Sequence, residues 1–158
     1  MATSSEASAA PQEHVGVILV DHGSRREESN KLLLKVVDAY REHTHWSIVE
    51  PAHMELAEPS IATAFATCVE RGADLVIVFP YFLSPGRHWH SDIPALTAEA
   101  AKQHPDVKFL VTAPLGLHEL MLQVIDQRIA HCLDHAAGNA NACEICEPAG
   151  DCAIKTGS

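Results

Sequence analysis

Four short apolar runs, each followed by a longer amphipathic stretch, constrain the fold of this chain more than any other feature. The runs are Val15–Asp21, Ile48–Met54, Leu75–Phe79 and Val107–Thr112. Runs of this length, rich in Val, Ile and Leu, are typical of strands buried on both faces. Their alternation with helices predicts a parallel sheet with right-handed crossovers. The expected fold class is therefore α/β, a single doubly wound domain with a four-stranded parallel sheet flanked by helices.

The amphipathic stretches predict four helices, at Ser24–His43, Glu58–Arg71, about Ser91–His104 and Leu117–His135. Ser24, with Glu27 three residues on, predicts a capping box at the start of the first helix. Asp92 is interpreted as an N-cap residue of the third helix, and therefore as structural.

The alternation stops after Ala136, which sets the expected organisation of the chain. Residues 1–14 are rich in Ala and Ser and lack apolar periodicity, so we expect them to be disordered. The α/β domain is expected at 15–136, followed by a cysteine-rich tail at 137–158.

Charge excludes two classes of partner. The chain carries 11 Lys and Arg against 21 Asp and Glu, a formal charge of −10. Nucleic acid and anionic membranes both select a basic face, so neither is an expected partner. No apolar run approaches the roughly 20 residues of a membrane-spanning helix.

Histidines follow the predicted strands at the edge where α/β proteins bind ligands. His22 directly follows the first strand, and His88 lies in the loop of about ten residues after the third. His53 and Glu55 follow the second strand and are expected near the same edge. Imidazoles ligate metals and accept protons near neutral pH, and a carboxylate beside them takes up protons. A metal-handling site is thus predicted; capping or packing histidines and an exposed acid are the structural alternatives.

Three arginines accompany these loops in an otherwise acidic chain. Arg25 and Arg26 follow His22 closely, and Arg87 precedes His88. Arginine pairs well with carboxylates, so the three predict a local anion site, with ordinary surface charge as the alternative.

Cysteines cluster towards the carboxyl end of the chain. Cys132, Cys143, Cys146 and Cys152 have the spacing C-x10-C-x2-C-x5-C, whereas Cys68 lies in a predicted helix and is interpreted as a core residue. Four such thiols bind an iron–sulfur cluster or zinc, and the spacing does not choose between them. Disulfides are the competing interpretation, and Cys132 also falls on an apolar helical stripe where it would simply pack.

Three segments together carry a resemblance to a known family. They are VDHGSRREESN, MELAEPS and FPYFLSPGRHWHSDIP, one after each of the first three strands. They resemble the short, single-domain sirohydrochlorin chelatases of the CbiX/SirB type, over roughly Val15 to His135. The resemblance implies a chelatase-like fold in which His22 and His88 hold the metal and help to remove pyrrole protons.

The resemblance also implies an activity and partners. A member would act as a lyase that inserts Fe²⁺, its substrate, into sirohydrochlorin to give sirohaem and two protons. A cobalt or nickel chelatase is the alternative, because two histidines bind all these ions; a non-enzymatic metal or iron–sulfur carrier is another. A chain with one α/β unit is expected to form a homodimer. The tail is similar to that of plant, chloroplast members, which implies a [2Fe-2S] cluster on the four cysteines.

Overall fold

The computed structural model describes residues 14–147. Its elements are β1 Val15–Asp21, α1 Glu27–His43, β2 Ile48–His53, α2 Ile61–Glu70, β3 Leu75–Pro80, a π-helical turn His88–Asp92, α3 Ile93–Ala101, β4 Lys108–Val111 and α4 Glu119–Ala136. The four strands form one parallel sheet in the order β2-β1-β3-β4. The predicted α/β class, the parallel sheet and the flanking helices are confirmed.

Two apolar layers hold the sheet. On one side α2 and α3 contribute buried side chains such as Phe65 and Ile93, which pack with Ile18, Val20 and Val78 of the central strands. On the other side α1 contributes Leu33 and Val37. The strands are therefore buried most deeply at β1, which fixes the position of the residue that follows it.

The helix starts differ in detail from the sequence prediction. Ser60 caps α2, as its hydroxyl accepts a hydrogen bond from the Thr63 N–H at 3.2 Å. The predicted capping box at Ser24 is wrong, because α1 begins at Glu27. The main-chain N–H of Ser24 instead donates to the Asn30 side-chain oxygen, and the Asn30 side-chain nitrogen donates to the Ser24 carbonyl. Short polar side chains often bond locally in this way, which delays the helix.

The chain divides into two compact units, one up to Gly116 and one from Leu117 onward. The first contains the whole sheet with α1, α2 and α3. The second contains α4, in which no residue is buried, and the described part of the cysteine-rich tail. The expected disorder falls almost wholly outside the described residues. Within 14–147 no helix is both long and apolar enough to cross a membrane.

Candidate active site

The carboxyl ends of three adjacent strands bring the predicted site residues together. Because β1 lies between β2 and β3, the residues after these strands share one edge of the sheet. His22 Nε2 lies 3.2 Å from Glu55 Oε1. The rings of His22 and His88 have centroids 4.9 Å apart and are nearly perpendicular, at 79°. The structure therefore gathers His22, Glu55 and His88 into one cluster.

Main-chain contacts join the loops that carry His22 and Glu55. The Glu55 N–H donates to the His22 carbonyl at 3.2 Å. Gly23 has a φ of +85°, and a Cβ there would lie only 1.9 Å from the Glu55 carbonyl oxygen. Only glycine permits this approach, since it tolerates positive φ and has no side chain.

Each imidazole of the cluster is held through its Nδ1 atom. His22 Nδ1 donates to the Gly23 carbonyl at 3.2 Å, and His88 Nδ1 donates to Asp92 Oδ2 at 2.7 Å. Both acceptors lack a proton to give, so Nδ1 carries the hydrogen and Nε2 presents its lone pair. Metal-ligating histidines are commonly oriented in this way by a carbonyl or a carboxylate.

Asp92 is not the N-cap that the sequence suggested. Its side chain makes no cap hydrogen bond to α3 and pairs with His88 four residues earlier. The hydrogen bond from His88 holds the pKa of the Asp92 carboxyl below its usual range. The i, i+4 spacing on a helical turn was the signal that could have identified the pair. Asp92 is thus an orienting partner of His88.

A π-helical turn carries His88 and is held by two side-chain hydrogen bonds, one to another element and one local. The Trp89 indole N–H donates to the Thr112 carbonyl at 2.8 Å, which ties the turn to the end of β4. The Ser91 hydroxyl donates to the Arg87 carbonyl at 2.8 Å. Single π-helical turns are frequent at functional sites. His90 is exposed, and its ring lies beside that of Trp89, with centroids 4.3 Å apart and a tilt of 59°.

The facing atoms of His22 and Glu55 are both acceptors, so a proton or a metal ion must lie between them for the contact to be favourable. With Nδ1 protonated, His22 Nε2 and Glu55 Oε1 present lone pairs to each other at 3.2 Å. A proton can bridge them. A metal bound to both also fits, because bonds of about 2.0–2.2 Å at angles of about 90–110° separate such atoms by about 2.8–3.6 Å. The pair is therefore suited to exchanging a proton for a metal ion.

The cluster lies between two open hollows. One, of about 710 Å³, is lined by Glu55, Arg87, His88 and Asp92 among others. The second, of about 300 Å³, has His22, Ser24, Tyr81 and Phe82 in its wall. Among residues 14–147, no three His, Cys, Asp or Glu side chains are gathered tightly enough to hold a metal ion unaided. The site is an open, incomplete coordination sphere.

The predicted arginines are placed unequally. Arg87 lines the larger hollow with Glu55 and His88. Arg25 and Arg26 are exposed in the segment from His22 to α1 and line neither hollow.

Three of the four clustered cysteines lie in the described part of the second unit. Cys132 is exposed on α4. The alternative that it packs as part of the apolar stripe of this helix is therefore not what the structure shows. Backbone hydrogen bonds from Cys146 and Ile145 lower the pKa of the Cys143 thiol. The fourth, Cys152, lies outside the described residues. Cys68 is buried, as expected of a core residue, and burial raises its pKa to about 12.

A parallel α/β sheet with two imidazoles and a carboxylate at the carboxyl ends of its strands places this chain among the open α/β proteins that bind ligands at that edge. Comparison with known families gives the particular assignment: the chain belongs to the CbiX family, whose model matches residues 16–132.

Relatives and a solved structure agree with this assignment. The chain is 54% identical to the chloroplastic sirohydrochlorin ferrochelatase of Arabidopsis thaliana, over 90% of this chain and 64% of that protein. It is 34% identical to a sirohydrochlorin cobaltochelatase of Priestia megaterium, over 72% of this chain and 37% of that protein. The sirohydrochlorin chelatase SirB of Bacillus subtilis subspecies spizizenii, in complex with cobalt, superposes with a TM-score of 0.70 at 28% identity, covering 73% of this chain and 50% of that one. The chain thus spans between about a third and two thirds of the length of these relatives.

Proposed function

We propose that this chain is a sirohydrochlorin ferrochelatase, a lyase that inserts Fe²⁺ into sirohydrochlorin to form sirohaem. The convergence of His22, Glu55 and His88 at one open edge carries the proposal. The similarity to the Arabidopsis enzyme, over 90% of this chain, supports the choice of reaction.

The chemistry of the reaction matches what these side chains offer. Sirohydrochlorin and Fe²⁺ give sirohaem and two protons, as two pyrrole N–H bonds break and the four ring nitrogens bind iron. The lone pairs on Nε2 of His22 and His88 first ligate Fe²⁺. As iron moves to the macrocycle, His22 and Glu55 regain free lone pairs and accept the departing protons. Because their atoms lie at hydrogen-bond distance, a proton left there is shared between them.

Carboxylates on the macrocycle need cationic partners. Arg87 lines the same hollow as His88 and Glu55, so its guanidinium is our first candidate for pairing with a substrate carboxylate. Arg25 and Arg26 are exposed beside His22 and are proposed to contact the outer edge of the macrocycle.

Iron is favoured over cobalt by the comparisons. The ferrochelatase from Arabidopsis is 54% identical to this chain, and the cobaltochelatase from Priestia is 34% identical. Histidine and carboxylate ligands also bind cobalt and nickel, so the ligand set itself does not discriminate. A cobalt or nickel chelatase is therefore the second candidate.

One anaerobic assay tests the proposal. Sirohydrochlorin and Fe²⁺, with Co²⁺ and Ni²⁺ in parallel samples, are mixed with the wild type, His22→Ala, His88→Ala and His90→Ala, and the absorption change on metal insertion is followed. We expect acceleration by the wild type and by His90→Ala, whose exposed ring lies outside the cluster, and loss in the other two. No acceleration by the wild type with any of Fe²⁺, Co²⁺ or Ni²⁺ would exclude a chelatase and favour a non-enzymatic metal carrier. Full activity in both His22→Ala and His88→Ala would refute the proposed site.

A homodimer is the proposed assembly. The relatives from Priestia and Bacillus are two to three times the matched length, so a second copy would supply what their remaining length supplies. The first unit has an apolar groove of about 390 Å³, lined by residues such as Leu19, Ile77 and Phe79. The second unit exposes apolar side chains of α4, including Ile125 at 54% and Leu133 at 66%.

Light scattering during gel filtration tests the assembly. We expect a mass of twice 17.1 kDa for the wild type. Ile125→Glu should shift the chain towards the monomer, because a charge there opposes apolar burial, whereas Gln127→Glu on the same helix should not. A wild-type monomer at micromolar concentration would contradict the proposal.

A [2Fe-2S] cluster on Cys132, Cys143, Cys146 and Cys152 is proposed from the thiol chemistry. Soft thiolates suit iron–sulfur clusters, and backbone N–H groups already favour the thiolate of Cys143. The charges of Cys132 and Cys143 both act on Arg128, so both thiols lie near one guanidinium. Such a cluster would supply redox sensing. A coloured protein after anaerobic purification is expected; a colourless sample containing zinc would contradict it.

We also propose a chloroplast location, on the similarity to the chloroplastic Arabidopsis enzyme. Immunodetection of the protein in fractionated cells tests it, and recovery outside the chloroplast fraction would contradict it.

A further inference from the structure

We propose that a buried carboxylate–imidazole couple, Asp21 with His53, positions the metal-handling site; this inference rests on the proposed function. His53 Nδ1 donates to Asp21 Oδ1 at 2.6 Å, and the imidazole is only 1% exposed. The two residues end β1 and β2 and are register partners in the sheet. The couple therefore lies at the base of the edge that carries the site.

The carboxylate of Asp21 links the couple to His22. The same Oδ1 atom accepts a hydrogen bond from the Gly23 N–H at 3.0 Å. This contact fixes the turn that begins at His22, because it holds the peptide group between His22 and Gly23. Gly23 in turn accepts from His22 Nδ1. A change in Asp21 would thus be transmitted to the orientation of the His22 ring.

The main chain of His53 links the couple to Glu55. The main chain on both sides of His53 is bonded: its N–H donates to Pro59 and the next N–H, of Met54, donates to the Asp21 carbonyl, both at 2.8 Å. Glu55 follows directly and donates to His22. The couple therefore fixes the two loops relative to each other and, with them, the 3.2 Å approach of His22 to Glu55.

Packing alone does not account for this imidazole. Across residues 14–147, the buried polar side chains are His53 and Thr97, and the Thr97 hydroxyl bonds to its own helix. Burying a polar ring costs free energy unless it is hydrogen-bonded, and an aliphatic residue would fill the same space at lower cost. The ring is retained, on this inference, because it makes the directional bond to Asp21.

The test compares His53→Leu, which removes the donor, with His53→Asn, whose amide nitrogen can occupy the place of Nδ1. Val76→Ala, a buried position at the amino end of β3, is the control for general loss of stability. Co²⁺ affinity is measured without tetrapyrrole, and kcat and KM are measured with Fe²⁺. We expect His53→Leu to bind Co²⁺ about 10–100-fold more weakly, with a lower kcat and unchanged KM for sirohydrochlorin. His53→Asn should recover most of the affinity, and Val76→Ala should retain it within about twofold.

The outcomes separate this inference from the proposed function. Wild-type Co²⁺ binding that is unaffected in His53→Leu would overturn the positioning role, and so would equal loss in His53→Leu and His53→Asn. Absence of Co²⁺ binding and of chelation in the wild type would instead overturn the proposed function. If His53→Leu fails to fold, Asp21→Ala replaces it, since it removes the oxygen that accepts from both His53 Nδ1 and the Gly23 N–H. That variant is expected to lose affinity, and wild-type affinity would overturn the inference.

Discussion

Replacing Gly23 by alanine would test the close approach of two loops on which the site depends. The new Cβ would lie 1.9 Å from the Glu55 carbonyl oxygen, whereas real Cβ contacts are not found below 3.0 Å. The Glu55 loop must therefore retreat by about 1 Å, a displacement that costs about 100-fold in rate when it moves catalytic groups. This corresponds to about 2.7 kcal/mol in the barrier. The φ of +85° adds roughly 1–2 kcal/mol of lost stability for a residue with a Cβ.

Two other glycines separate these effects. Gly72 has a φ of +101°, but no atom lies within 4 Å of the position that a Cβ would take, so Gly72→Ala should lose stability and keep its kcat/KM. Gly86 has neither constraint, and Gly86→Ala should be close to the wild type. Urea unfolding gives the stabilities, and the anaerobic insertion assay gives kcat/KM. If Gly23→Ala retained kcat/KM within threefold, the loop contact would not control the site and the reasoning would fail.

Three further predictions concern titration and thiols. The lowered pKa of Asp92 means that its carboxylate form is stabilised, and this stabilisation is lost only as pH falls through the folded-state pKa; an NMR titration should place the midpoint below about 3.9, and His88→Ala should return it towards that value. Iodoacetamide at neutral pH should label Cys143 of the metal-free chain quickly and leave Cys68 unlabelled until the protein unfolds, because the pKa of Cys143 is lowered and that of buried Cys68 is raised; early labelling of Cys68, read by peptide mass spectrometry, would contradict this. Cys143→Ser should retain iron insertion, as expected if a tail cluster senses redox state and takes no part in chelation, and a large loss of kcat in a folded variant would contradict that role.

The strand order explains why part of the site was predictable from sequence. Apolar runs locate strand ends, and side chains at the carboxyl ends of neighbouring parallel strands share an edge. His22 follows β1 directly and Glu55 lies two residues beyond β2, so their proximity follows once these two strands are neighbours. His88 lies eight residues beyond β3 and reaches the cluster because a later turn returns it to the edge.

Local hydrogen bonding explains what the sequence did not predict. Asp92 has the residue type and place of an N-cap, yet the π-helical turn continues into α3, so that Asp92 has helical φ and ψ and its side chain makes no cap bond. Its carboxylate is then available to His88. Ser24 similarly has the residue type of a capping box, but its hydroxyl accepts from the Arg26 N–H, before the helix begins. Composition shows that a side chain can accept a hydrogen bond; the tertiary path of the chain decides which donor it meets.

The open geometry of the cluster is consistent with a metal that is passed on. A site with a complete set of ligands would hold Fe²⁺ against transfer, because each ligand bond must break before the macrocycle can bind the ion. His22 and His88 present one nitrogen each, and Glu55 is half exposed, with 52% of its side chain accessible. The remaining coordination positions are left to water and to the pyrrole nitrogens. Leu96 lines the same hollow as Glu55 and His88, so Leu96→His would add a ligand there. This variant should bind Co²⁺ more tightly and insert iron more slowly. Tighter binding with faster turnover would show that metal release does not limit the reaction.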